Sequence, residues 1–542
     1  NFKYDEDKLN RLGFYLHGLF ADTLISQQCI SSELPKGLGF QTSIYTREPY
    51  YKDEGRDYIP GKDNIRDLLL YNCKDAACTL EIFLAHLEEL NQIPQALDSF
   101  LNFRRHLHKV YHRIETIGFK TDDAKRQQLI ENYIARLVDL EKEFRLITLE
   151  YTEDLINMAS PKRIDQLLYG EMKIPRRMGT GEEILTALMA NTVKKPEQKR
   201  ALEIILKWRQ VSKTLGTYLA AENDYDGRMR TTYFITGTES FRTSTQVVKS
   251  PLRNKEIGWA LQTVTKHGDT GNDLRSILVA DEGYVFINID QSQAEARVCS
   301  LLADDAETLR YYDEIDIHAL TAAKIFGGTE ETWNKKNTGG KESPERFVGK
   351  MARHAYHLGI QKRTLMININ TQARSAKINL NISEWKAGEI LKALQLMTPK
   401  IQTVFHAGIQ ESISQNRRLF GTFGASFYLY EDWGNELFKA AYSRIPQQTV
   451  SDKTKAVAIW AQKEIWDCPV VAESHDALLF LCPERKADEY VKRIQSEFAR
   501  PIDFSGCSLP RGNLVIPTDV EIGYDYENLT KYSKFKLRSK TQ

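Results

Sequence analysis

Tyr284-Val-Phe-Ile-Asn-Ile-Asp290-Gln-Ser-Gln293-Ala-Glu295-Ala-Arg297 decides how this chain is read. The apolar run up to Ile289 has the length and β-branched content of a buried strand, and a helical pattern follows immediately after Asp290. A carboxylate at the end of a buried strand loses its water at high cost unless a cation compensates it, which makes Asp290 a candidate metal ligand. A plainer reading accounts for its neighbours: Ser292 and Glu295 have the S-x-x-E spacing of a helix capping box, which by itself explains both.

Two further constellations lie downstream. In Ala472-Glu-Ser-His475-Asp476-Ala477-Leu-Leu-Phe480 a polar dipeptide separates two apolar runs, as at a hairpin tip. A second carboxylate on rigid strands is what a two-metal phosphoryl-transfer site requires, because Mg²⁺ prefers oxygen ligands and leaves positions open for phosphate. An ordinary turn is the alternative. In Arg346-Phe-Val-Gly-Lys350-Met-Ala-Arg353-His354-Ala-Tyr356-His357-Leu358-Gly359, positions 346, 350, 353, 354 and 357 follow helical spacing, so a single face is expected to carry two Arg, one Lys and two His. Such a face suits a triphosphate, with Arg forming forked hydrogen bonds and Lys acting as a point charge. A solvated basic face has the same pattern.

In their order and spacing the three constellations resemble motifs A, B and C of the family A DNA polymerases. Thr236-Gly-Thr-Glu-Ser-Phe-Arg242-Thr-Ser244 is similar to the family's T-G-R-L-S-S segment, and Leu261-Gln262 with Leu274-Arg275 to the stretch leading into motif A. Asp316-Ile-His318-Ala-Leu-Thr-Ala resembles D-I-H-x-x-T-A, and Ile445-Pro446-Gln447-Gln-Thr-Val-Ser-Asp452 resembles P-x-Q-G-T-A-A-D. The resemblance spans essentially the whole chain.

It implies a template-directed DNA polymerase, a nucleotidyltransferase acting in replication or repair with two Mg²⁺ ions. Asp290, Asp476 and the Gln291 carbonyl would be the metal ligands. Arg346, Lys350 and His318 would hold the triphosphate, Gln293 would help position the site, Glu295 would exclude the ribose 2′-hydroxyl, and His354 would lie by the sugar. Lys213, Arg242, Gln447 and His475 would contact the primer-template. Three departures stand out: Ala477 replaces the glutamate that usually follows His-Asp, His354 an aromatic residue, and Leu358 a template-stacking tyrosine, with Tyr356 two residues too early to serve instead. Weakened catalysis is expected from Ala477. A catalytically weak primer-template binding protein is the alternative reading, and an RNA polymerase on the same palm is disfavoured by Glu295.

Asn1-Phe-Lys-Tyr-Asp5 and Tyr71-Asn-Cys-Lys-Asp75 resemble the N-x-x-x-D and Y-x-x-x-D motifs of the family's 3′–5′ proofreading exonuclease. Its upstream D-x-E motif is not found, and Asp519-Val-Glu521 lies in the wrong part of the chain to be it. Asp5, Tyr71 and Asp75 therefore imply an incomplete proofreading site.

The fold class implied is a multidomain α/β right hand. Residues 1–95 would be the C-terminal part of an RNase H-like exonuclease domain, mixing short β-like runs with a helix near 71–90. A helical thumb would occupy 96–228, an antiparallel-sheet palm 229–300 and 431–542, and helical fingers 301–430. A hairpin is expected at 417–432, a helix at 434–466 and a further strand within 512–524. The 542 residues leave room for several domains, and 74 Lys and Arg against 73 Asp and Glu mean that any nucleic-acid surface is local. Seven cysteines without a C-x-x-C pair point to a reducing compartment without structural zinc. No apolar stretch reaches membrane-spanning length. A monomer in a bacterial or virus-infected cytoplasm is expected, with primer-template DNA, dNTPs and replication or processivity factors as partners.

Overall fold

The computed structural model describes residues 2–15, 17, 21–55, 58–59, 61–250, 255–265, 268–337, 340, 342–376 and 378–535. Strand β1 (Tyr284–Gln291) is the centre of a five-stranded antiparallel sheet. The other strands are β2 (Val470–Ser474), β3 (Ala477–Pro483), β4 (Thr518–Gly523) and β5 (Thr530–Lys531), in the order β2-β3-β1-β4-β5.

Both faces of this sheet are covered. Val285, Ile287 and Ile289 pack with Leu478, Phe480 and Ile522 against Val457, Ala458 and Val491. Phe286, Leu479 and Leu481 pack on the other face with Tyr133, Trp259 and Leu278. Each such side chain contributes about 1.5–3 kcal/mol on full burial. Coverage on both faces is why β1 reads as a continuous apolar run.

Helices surround the sheet. α1 (Ile65–Asn91) starts six residues before the expected position, because Asn64 Oδ1 accepts the Arg66 N–H at 3.1 Å and caps it. α2 (Asp123–Thr148) and α3 (Pro196–Lys213) pack together in the 96–220 region, which is helical as expected. There Ser160-Pro161 starts a helix: Ser160 Oγ accepts the Arg163 N–H, and proline at the first position loses no helical hydrogen bond. The β-like runs expected in 1–95 are overturned. Its described residues contain four helices, the start of a fifth at Pro94, and no strand. Asp22 shows why: its side chain accepts the Leu24 N–H at 2.9 Å, so the short apolar run after it begins as a helix.

α4 (Ala294–Leu302) follows motif A, and α5 (Ile317–Phe326) packs against α6 (Pro344–His357), the motif B helix. Their contact is close at Gly349, where a Cβ would lie 2.6 Å from the His318 carbonyl. The expected hairpin is present as Arg418–Phe420 paired with Ser426–Tyr428. α7 (Asn435–Glu464) is the expected long helix and carries Pro446 in its interior. No described helix is long and apolar enough to cross a membrane.

Candidate active site

The two motif aspartates meet at the top of the sheet. β1 and β3 pair so that Asp290 stands opposite Ala477, one residue after Asp476. The Gln291 N–H donates to the Asp476 carbonyl at 3.1 Å. The Gln291 side-chain amide donates to Thr454 Oγ1 at 2.8 Å and Val450 O at 3.1 Å in α7, and to Asp476 O at 3.4 Å. The sequence points to the Gln291 carbonyl; the structure adds a side chain that ties strand, turn and α7 together. The turn is tight, with His475 at φ 55°, a conformation in which His is enriched among non-glycine residues.

A cleft of about 310 Å³ opens beside this point, lined by Gln262, Arg275, Asn288, Asp476, Ala477 and Glu521 among others. β4 brings Asp519 directly opposite Asp290 on the side away from Ala477. Opposed residues of an antiparallel pair project to the same face, so Ala477, Asp290 and Asp519 share one rung. The sequence shows an acid at the start of this strand but not the residue it would face.

The donor chemistry fits Mg²⁺. Asp476 lines the cleft and Asp290 stands beside it across the strand pair, and among the described residues no three His, Cys, Asp or Glu side chains group to hold a metal. Two carboxylates at an open cleft suit an oxygen-seeking cation whose remaining positions are taken by water and phosphate.

The capping-box reading of Ser292 and Glu295 is overturned. Gln293 takes a left-handed φ of 52° and is itself the residue before α4, with no side-chain cap. The Ser292 N–H instead donates to Pro517 O at 2.8 Å. Glu295 turns to Arg242, whose guanidinium donates to its Oε1. Arg242 in turn lowers the pKa of His475 and His354, in each case after burial, which places it among motifs A, B and C.

The expected single basic face of α6 divides in two. Arg346 is half-buried, and Lys350 and His354 face outward, His354 within reach of the Arg242 charge. Arg353 and His357 are buried, Arg353 donating to Thr321 Oγ1 at 3.2 Å and Tyr312 Oη at 3.4 Å. At about 100° per residue Arg353 and His357 stand within about 20° of Arg346, while Lys350 and His354 lie about 40° and 80° round from it, towards solvent. Arg346 donates to Asp316 Oδ2 at 2.8 Å and to Glu342, beside His318. Burial first, then the Arg346 charge, push the His318 imidazole down to about 3, so it is neutral at physiological pH. Tyr356 is buried in the core, and Leu358 ends the helix.

Lys213 is exposed at the end of α3, and Gln447 is half-buried on α7 next to the fully buried Gln448. The exonuclease-like residues are not brought together. Tyr71 and Asp75 share one face of α1, but Lys52 Nζ donates to both, at 2.6 and 2.7 Å, and Tyr51 Oη donates to Asp75 at 2.7 Å. Asp5 lies in other surroundings, its carboxyl raised by burial with Asp22 nearby. Asn1 falls outside the described residues.

An antiparallel sheet with aspartates at the strand end and hairpin tip, flanked by a basic helix, defines the palm and fingers of a right-hand polymerase fold. The fold matches the POL domain of Pol1 from M. smegmatis in complex with DNA primer-template and dNTP, with a TM-score of 0.75 at 18% identity over 97% of this chain and 85% of that one. The sequence model of DNA polymerase family A matches residues 124–527, and the chain belongs to that family. DNA polymerase I of Borreliella burgdorferi is 24% identical over 519 residues, 91% of this chain and 52% of the relative. DNA polymerase I of Helicobacter pylori is 23% identical over 482 residues, 85% of this chain and 48% of the relative. The chain thus spans about half the length of these relatives.

Proposed function

We propose that the chain is a DNA-directed DNA polymerase that adds deoxynucleotides to a primer 3′-hydroxyl. The observation that carries this is the pairing of Asp290 beside Asp476, fixed by Gln291, next to an open cleft and with Arg242 acting on both His475 and the motif B residue His354. Asp290, Asp476 and the Gln291 carbonyl would hold two Mg²⁺ ions. When bound, these ions lower the pKa of the primer hydroxyl and neutralise charge on the pyrophosphate leaving group.

The protein's own groups orient the reactants. Lys350 and Arg346 bind the triphosphate tail, Arg346 giving up the Glu342 carboxylate to do so. His318, neutral and fixed by its helix, donates a hydrogen bond without adding charge. Glu295 excludes a 2′-hydroxyl, and Gln293 and His354 shape the nucleotide pocket. Arg242, His475, Gln447 and Lys213 position primer and template through contacts that do not read sequence. Asp519 adds, from the other side of Asp290, the negative charge that Ala477 lacks. Residues 1–95 carry an incomplete proofreading site: the D-x-E motif is not found, and Asp75 pairs with Lys52. The chain acts as a monomer on primer-template DNA in a bacterial or virus-infected cytoplasm, with replication factors as further partners.

Primer extension tests the reading. Asp476→Asn should reduce extension by at least about a hundredfold, the scale of one lost charge-stabilising group, while leaving primer-template affinity within a factor of a few. Extension equal to the parent's would refute it.

A further inference from the structure

We propose that Arg242 controls sugar selectivity by holding Glu295 in place, and so is a positioning residue for the gate as well as a primer contact. This rests on the reading of Glu295 as the gate.

Glu295 lies in the first turn of a helix that has no side-chain cap, after a left-handed residue, so its own helix does not fix its carboxylate. Among the described residues Arg242 is the hydrogen-bond partner of Oε1, while Oε2 is buried with none. The pair is largely shielded, with 21% of the Arg242 side chain and 17% of the Glu295 side chain exposed. A glutamate without such a partner has three free torsions and a strong preference for water, and swings out of a fixed wedge.

Arg242 is a firm support because its backbone is pinned. Phe241 before it is left-handed at φ 60° and fully buried, with its ring edge-on to Phe427 at 5.2 Å and under the Arg104 guanidinium at 3.9 Å. The Phe241 carbonyl accepts from Lys455 and from Ser451 Oγ at 3.3 Å. The Arg242 carbonyl accepts from Thr238 Oγ1 at 2.8 Å. Arg242 Nε is buried with no hydrogen-bond partner among the described residues, and its Nη2 keeps Glu295.

The test is single-nucleotide extension on one primer-template, comparing kcat/KM for a dNTP with that for the matching rNTP. Loss of primer contact slows both and cancels in the ratio. Arg242→Ala should lower the ratio by about tenfold, the scale of one charge-assisted hydrogen bond. Arg242→Lys should retain part of it. Glu295→Ala should lower it at least as far, and the double variant no further than Glu295→Ala. If Arg242→Ala slows both sugars equally while Glu295→Ala relaxes selectivity, the proposal is overturned and the gate survives. If Glu295→Ala leaves the ratio unchanged, the gate itself is wrong and the proposal falls with it.

Discussion

Arg104→Met should destabilise the protein through a single buried charge. The Arg104 side chain is 2% exposed and that of Asp452, on α7, is 0% exposed. The guanidinium donates to Asp452 Oδ1 at 3.2 Å and Oδ2 at 2.5 Å, and to Ser99 Oγ at 3.0 Å. Its removal leaves the Asp452 carboxylate with the Gln448 amide at 2.6 Å and the Lys455 ammonium at 3.9 Å, both too few to replace a forked pair. Breaking a buried pair from one side costs about 3–5 kcal/mol, and these remaining donors favour the lower end. About 3 kcal/mol corresponds to a fall of roughly 6–12 °C in the melting midpoint for a cooperative unit of 150–250 residues. Thermal unfolding followed by tryptophan fluorescence measures it. The double variant Arg104→Met with Asp452→Leu should recover much of the loss, because two apolar groups leave no uncompensated charge. A single variant that melts with its parent would mean Asp452 finds water or neutralises, and the argument would fail.

Two other expectations concern charge. Asp519→Ala should weaken Mn²⁺ binding, read by electron paramagnetic resonance, and raise the Mg²⁺ needed for half-maximal extension by roughly three- to tenfold, as removal of one screened carboxylate near a divalent ion implies; unchanged metal affinity would remove Asp519 from the centre. His86 is fully buried against Ser26 Oγ at 2.8 Å, and burial pushes its imidazole down to about 4. The unfolded chain takes up that proton near pH 6.5 and the folded chain only near pH 4, so stability is lost as pH falls through this window, by about 3 kcal/mol at most. The loss in urea midpoint between pH 7 and 4.5 should be smaller for His86→Gln than for the parent, the rest coming from His318 and other buried groups; a loss equal to the parent's would contradict the assignment.

Much of the site is legible before folding. Asp290 and Asp476 end apolar runs whose length and composition mark strands, and the resemblance rests on order along the chain. The same local reasoning errs where a pattern has two solutions. The apolar run after Asp22 suits either a strand or a helix until the cap is seen, and Ser292-x-x-Glu295 spells a cap that the left-handed Gln293 prevents. On α6, helical spacing does place Arg346 and Arg353 on one side, but the packing of α5 and Tyr312 against that side buries Arg353, which the spacing alone does not show.

By itself the sequence determined the family, the strand and hairpin that carry the two aspartates, and the basic helix opposite them. These follow from periodicity and short motifs, which are local. Tertiary structure alone decided that Asp519 faces Asp290, that Gln291 ties the site to α7, that Arg242 holds Glu295, and that Lys52 occupies Asp75. Each joins residues far apart along the chain, and strand register and the pairing of buried charges arise only when the cores on both faces of the sheet close.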